Sequence, residues 1–256
     1  MTESLILVDR RDAVITVSFN RPKQLNALTT EMLAELQGVL DGIAADKTVS
    51  VVVLTGVGKA FSVGVDLKAL MASGIDLTGG NVGNKLNDTA RGVIRTLETM
   101  PQCVIARAQG FCFTGALEVA LAADIILVND EAKLGDTHAT IGIRPTWGMT
   151  QRLPRAVGLQ RARELSFTAR HFTGVEAAEY GLALRSVPLT ELDDVVGQLA
   201  TTIAAQSAGS IAAYKDMYAK SANSGQNDGL AYEFGTEFDI ADTDERMAAM
   251  LKRLGG

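Results

Sequence analysis

The chain has little cysteine, histidine, proline or tryptophan: two, two, five and one in 256 residues. Two cysteines, Cys103 and Cys112, cannot build a disulfide framework and read as buried thiols of a cytoplasmic protein. Two histidines and no Cys/His cluster exclude a structural metal site, so no metal is expected. No apolar run reaches the roughly 20 residues of a membrane span. The opening MTESLILVDRRDAVITV lacks a secretion signal's basic region, apolar core and small-residue cleavage site, and reads as a strand. A formal charge of −6 provides no basic surplus, which argues against nucleic acid and anionic membranes as partners. There is no internal repeat, low-complexity tract or interdomain linker.

What is present is a 47% hydrophobic chain with apolar runs spread evenly along it, the pattern of a globular protein. Leu5–Val8 and Ala13–Phe19 alternate around the charged stretch 9–12 and read as a hairpin. Thr29 caps an expected helix from Thr30 to Ala45. Val51–Leu54 is a β-branched run suited to a strand buried on both faces. Gly74–Gly83 reads as a mobile loop beside a ligand. Asn87–Met100 has helical spacing, Asp124–Val128 reads as a strand and Ala132–Gly135 as a short extended piece. Thr173 with Glu176, and Asp242 with Glu245, have capping-box spacing. Beyond Pro188 the pattern is helical almost to the end. Strands alternating with helices imply an α/β fold with right-handed connections, divided as a core over 1–195 and a helical region over 196–256.

Two strand-to-helix turns carry the chemistry. In Gln109–Ala123, QGFCFTGALEVALAA, an apolar strand turns through Gly115 into an apolar helix with one carboxylate, Glu118. Helix N-termini present unpaired N–H groups, and glycine lets that N–H meet a ligand unobstructed. In Val49–Ala72, VSVVVLTGVGKAFSVGVDLKALMA, a second such turn offers the N–H of Val65 before Asp66 opens a helix. Two amide donors and a lone acid suggest carbonyl activation coupled to proton transfer. Rival motifs fail. The P-loop pattern around Gly58-Lys59 lacks its first glycine and its Ser/Thr, and the serine-hydrolase elbow at 60–64 has alanine for its first glycine. His171 precedes a cap and reads as a surface or packing residue.

These segments together resemble the enoyl-CoA hydratase/isomerase (crotonase) superfamily. NRPKQLNAL at 20–28 resembles its N-terminal signature, KAFSVGVDLK at 59–68 its first oxyanion segment, QGFCFTGALEVALAAD at 109–124 its second, and RLPRAVGLQRARELSFTAR with AAEYGLA its following helices. The resemblance implies a spiral of ββα units, which periodicity alone does not separate from a doubly wound sheet. It also implies that the C-terminal helices build trimers that pair into hexamers. Val65 N–H and Gly115 N–H would hold the thioester oxygen of an acyl-CoA. Ala60, Ser62, Val63, Asp66 and Leu67 would lie along the ligand, with Trp147 filling the acyl pocket or core. Lys23 and Lys68, and more weakly Arg21, are candidates for coenzyme A phosphates. Coenzyme A is part of the substrate, and no separate cofactor is implied.

Glu118 falls on the first of the two catalytic glutamates of the family's hydratases. At the second the chain departs from the pattern: LGDTHATIG at 134–142 puts His138 where a glutamate is expected, and Pro145-Thr146-Trp147-Gly148 alters the glycine-rich turn that follows. Hydration of a 2-enoyl-CoA would then use Glu118 to deprotonate water and His138 to supply the C2 proton, as an imidazole, which ordinarily titrates near neutrality, is able to do. Asp136 shares a face with His138 if the segment is extended, and would orient the ring. An isomerase, hydrolase or decarboxylase on the same scaffold, or a non-catalytic acyl-CoA-binding protein, are the competing readings, with His138 as the discriminating residue.

Overall fold

The computed structural model describes residues 4–254. The first half of the chain contains β1 (Ile6–Arg11), β2 (Val14–Phe19), α1 (Thr30–Ala45), β3 (Val51–Gly56), α2 (Leu67–Ala72), α3 (Asn84–Thr99), β4 (Cys103–Ala108), β5 (Phe111–Phe113) and α4 (Gly115–Ala120). There follow β6 (Ile125–Asn129), β7 (Lys133–Gly135), α5 (His138–Ile141), α6 (Met149–Val157), α7 (Leu159–Thr168), β8 (Phe172–Thr173), α8 (Gly174–Glu179) and β9 (Arg185–Val187). Four helices close the chain: α9 (Leu189–Ala204), α10 (Ala208–Ala222), α11 (Gln226–Gly235) and α12 (Thr243–Leu254).

The strands form two sheets, a large one in the order β1-β2-β3-β4-β6-β9 and a small one in the order β5-β7-β8. The chain alternates between them. Strand β4 enters the large sheet, β5 the small one, and α4 follows; β6, β7 and α5 repeat the pattern. This is a spiral of ββα units. Apart from the antiparallel β1–β2 hairpin, the large sheet is parallel. Its central strands are buried on both faces, as their continuous apolar runs require. Val52 and Leu54 of β3 join the main core with Leu33 and Leu36 of α1, while Val51 and Val53 face the other way, onto Leu192 and Val196 of α9.

Local signals place the helices. Thr29 accepts a hydrogen bond from Met32 N, and Thr173 with Glu176 forms a full capping box. Four expectations need correction. The charged residues Asp9–Arg11 belong to β1, an exposed edge strand where charge is tolerated, and only Asp12-Ala13 turns, with Asp12 at φ 53°. Helix α3 starts at Asn84, a turn earlier than expected, because Leu86 extends its buried stripe. The Asp242 carboxylate is taken up by Ser207 Oγ and Arg246 Nε instead of capping α12. A boundary at 195/196 cuts α9, whose buried face covers the large sheet. No described helix is long and apolar enough to cross a membrane.

Candidate active site

The two turns singled out in the sequence meet because their strands are bonded side by side. Ser62 and Cys112 form a parallel bridge, Ser62 N donating to Phe111 O and Phe113 N to Ser62 O. Val65 and Gly115 each lie three residues beyond that pair, in matching register. On its other side Val65 is bridged to Leu28, but the bridge is made by its neighbours: Leu28 N donates to Gly64 O and Asp66 N to Leu28 O. Neither Val65 N–H nor Gly115 N–H donates to a backbone carbonyl among the described residues. Gly64 has φ 87°, and a side chain there would meet Phe113 O at 2.8 Å and Gly115 N at 3.6 Å, so glycine permits the approach of the two turns. Thr114 is held at φ 53° and ψ −113°, a costly conformation for a β-branched residue. Its N–H donates to Gly135 O and its hydroxyl contacts that of Thr137, which ties the second turn to β7 and α5.

Glu118 lies one helical turn after Gly115 on the same face of α4. It is 1% exposed, and its Oε1 accepts from Trp147 N and Met149 N, each at 3.0 Å. Burial pushes its pKa above the ordinary carboxylate range against those two amides and His138. Its other oxygen, Oε2, is 3.7 Å from His138 Nε2. His138 is 7% exposed and opens α5, so the segment is not extended there; Thr137, at φ −96° and ψ 13°, turns the chain. That turn still brings Asp136 Oδ1 to 2.5 Å from His138 Nδ1. Asp136 Oδ2 accepts from Ser166 Oγ of α7 at 2.7 Å. Burial raises the pKa of Asp136, but the hydrogen bonds from His138 and Ser166 outweigh it and hold the group below its usual value.

Val65, Gly115, Glu118 and His138 line one cavity of about 620 Å³, with Val63, Leu67 and Trp147. The other proposed contacts do not line it. Ser62 is buried and its hydroxyl accepts from Gly64 N; Ala60 is buried, its carbonyl accepting from Asn26. Asp66 caps α2 through Ala69 N and pairs with Arg21 at 2.9 Å, so Arg21 serves the turn's frame. Lys23 and Lys68 are exposed, outside the cavity. Burial pushes the Cys103 thiol up to about 12, with Asp124 adding to it, and raises Cys112 further, so neither is a nucleophile. No metal-binding cluster occurs among the described residues. A larger depression of about 1050 Å³ between β1–β2 and α9 has its Arg107 paired with Asp193 and lacks the two open turns.

The family model for enoyl-CoA hydratase/isomerase matches residues 9–252. The chain belongs to this family. It is 31% identical over 256 residues to the probable enoyl-CoA hydratase echA8 of Mycobacterium tuberculosis, covering 99% of this chain and 97% of that protein. It is 32% identical over 252 residues to a short-chain-enoyl-CoA hydratase of Clostridium acetobutylicum, covering 97% and 95% of the two chains. The crystal structure of an enoyl-CoA hydratase from Bacillus anthracis superposes with a TM-score of 0.88 at 33% identity, covering 97% of this chain and 96% of that one.

In this member of the enoyl-CoA hydratase/isomerase family, further residues shape the cavity. Asn87 Oδ1 accepts from Trp147 Nε1 at 2.8 Å and from Thr146 Oγ1 at 3.1 Å, which fixes the indole over Gly115. A signal for Asn87 existed: it falls on the stripe of Ala90 and Ile94, a polar residue on an apolar helix face. Arg144, Ile141 and Ile143 line the wall beyond His138, and Gly79–Val82 adjoins it, with Gly80 packed against Ile143. Nothing in the sequence pattern pointed to Ser166.

Proposed function

We propose that the chain is an enoyl-CoA hydratase, adding water across the C2=C3 bond of a 2-enoyl-CoA. The observation that carries this reading is the facing of Glu118 and His138 across 3.7 Å in a cavity also lined by Val65 and Gly115. The two amides receive the thioester oxygen, where negative charge develops as the enolate forms, and such preorganised donors act most strongly on developing charge. Glu118, as carboxylate, takes a proton from water through Oε2 while the water oxygen bonds to C3. The C2=C3 π electrons move toward the thioester oxygen. His138, as imidazolium, then delivers its Nε2 proton to C2. The cycle leaves a protonated Glu118 beside a neutral His138, and proton transfer from Oε2 to Nε2 restores both.

Trp147 and the aliphatic side chains of the cavity enclose the acyl group, while Lys23 and Lys68, both exposed outside the cavity, serve the coenzyme A phosphates. Self-association is the second part of the reading. Phe234 is 85% exposed and Leu254 72%, on helices that leave apolar surface uncovered in a single copy. The test of function is the decay of enone absorbance when the protein is added to a 2-enoyl-CoA, with calorimetry against a nonhydrolysable acyl-CoA alongside. Decay supports hydration. Binding without decay selects an acyl-CoA-binding protein or another acyl-CoA reaction, and no binding at millimolar ligand rejects the ligand class.

A further inference from the structure

His138 is one end of a buried chain that runs out of the cavity. Its Nε2 faces Glu118 Oε2, its Nδ1 contacts Asp136 Oδ1 at 2.5 Å, and Asp136 Oδ2 receives the Ser166 hydroxyl at 2.7 Å. Asp136 is 3% exposed, so its charge has no solvent to turn to and depends on these two partners. We propose that Asp136 and Ser166 are positioning residues that hold His138 with a proton on Nδ1 and reserve Nε2 for the cavity. The argument is one of donors and acceptors. An ionised carboxylate only accepts. Ser166 has one hydroxyl proton and spends it on Oδ2, so the proton of the short contact at Oδ1 belongs to the ring. The held ring has one nitrogen left for proton exchange, and that nitrogen is the one beside Glu118.

The backbone makes this pairing specific. Thr137 turns the chain so that residues two apart converge, and His138 N also approaches Asp136 Oδ1 at 3.4 Å. Ser166 comes from α7, which packs against α5, and fixes the second carboxylate oxygen so that Asp136 is not free to swing away from the ring. The neutral ring would otherwise divide between two tautomers, and only one of them presents a basic Nε2. The proposal rests on the hydratase reading only for the task given to Nε2; the tautomer itself is a property of the resting protein.

The chain has only two histidines, so His171→Gln leaves His138 as the sole imidazole. His171 is exposed, stacks on Phe113 and does not line the cavity. Long-range proton–nitrogen spectra of the 15N-labelled His171→Gln protein, taken through the histidine titration range, read the tautomer without substrate. The expected neutral form carries its proton on Nδ1. Adding Ser166→Ala should mix the tautomers and Ser166→Thr should restore the original. Asp136→Asn should favour the proton on Nε2, and on a 2-enoyl-CoA should lower kcat by roughly two to four orders of magnitude with KM nearly unchanged. A wild-type ring protonated on Nε2 overturns the proposal, as does an Asp136→Asn spectrum identical to the parent; an unchanged Ser166→Ala spectrum removes Ser166 from it. An Nδ1 proton in a protein inert toward 2-enoyl-CoA sustains the positioning and rejects the hydratase reading, so the two failures are distinct.

Discussion

Glu118 Oε2 and His138 Nε2 stand 3.7 Å apart although twenty residues and two strands separate them in the chain. The separation exceeds a hydrogen bond, so a proton crosses by way of one water or after a small approach of the two side chains. Each group has its other polar atoms committed, Glu118 to two backbone amides and His138 to Asp136.

Glu118→Gln should retain both amide hydrogen bonds at Oε1 and lose the base. Turnover of a 2-enoyl-CoA should fall by roughly two to four orders of magnitude while affinity for a saturated acyl-CoA changes little. Steady-state kinetics and calorimetry on the same preparation check this, and near-normal hydration would mean that another group takes the water proton.

The same substitution should make the fold more stable at neutral pH. Burial raises the pKa of Glu118, so the folded state resists its ionisation; this stability is present below the unfolded carboxylate value and is lost as pH rises through the folded one. Glu118→Gln removes that loss. Thermal melts should show Tm higher by about 2–4 °C at pH near 7, the shift of roughly 1 kcal/mol in a domain of this size, with the gain shrinking toward about pH 4. Asp136 acts in the opposite sense. Its lowered pKa contributes stability above the unfolded value that is lost as pH falls through the folded one, so Asp136→Asn should flatten the acid limb of the wild-type melt.

How much of this was legible in the sequence depends on the range of the interaction. Caps such as Thr29 and Thr173 and the buried run Val51–Leu54 were readable because a few adjacent residues decide them. The meeting of Val65 and Gly115 was expected from resemblance to a family and not from any local pattern, since it depends on the bridge between Ser62 and Cys112, fifty positions apart. The pairing of Asp136 with His138 was expected from a shared strand face and arises instead from a turn. Arg21 and Asp66, candidate ligand contacts by sequence, are bonded to each other, a pairing that no local pattern reports. Placing His138 beside Glu118 came from resemblance to a family, and the 3.7 Å between them is set by the fold of α4 and α5.

His138→Ala should remove most of the hydratase rate, and His138→Glu should retain or raise it by supplying a second carboxylate. An inert wild type that gains activity as His138→Glu would favour a binding role for the native chain. A His138→Ala variant as fast as wild type would leave Glu118 working without His138.

Gly115→Ala tests the packing at the second turn. The added methyl would lie 2.5 Å from Trp147 Cζ3 with the indole fixed by Asn87, so ring or backbone must move. The expected cost is about 1–3 kcal/mol of stability together with loss of turnover. Trp147 is the only tryptophan, so its fluorescence reports the site directly. The emission should change in this variant, and in wild type on titration with a saturated acyl-CoA. A silent titration with measurable heat would place the ligand elsewhere.

Light scattering should give a mass of at least three times the 27.1 kDa of one chain. Phe234→Glu with Leu254→Glu should lower it by placing charge on the two exposed apolar positions. A monomeric wild type would reject self-association.

The donors at Val65 and Gly115 belong to the main chain, whereas Glu118 and His138 are side chains on two separate short helices. Replacing a side chain at 65 by anything but proline leaves its amide in place, whereas a side chain at 64 or 115 would crowd the pair. The two halves of the site therefore respond unequally to substitution. On the proposed reading, substitutions at 118 and 138 change where protons go, while the amide pair that would receive the oxygen stays with the backbone.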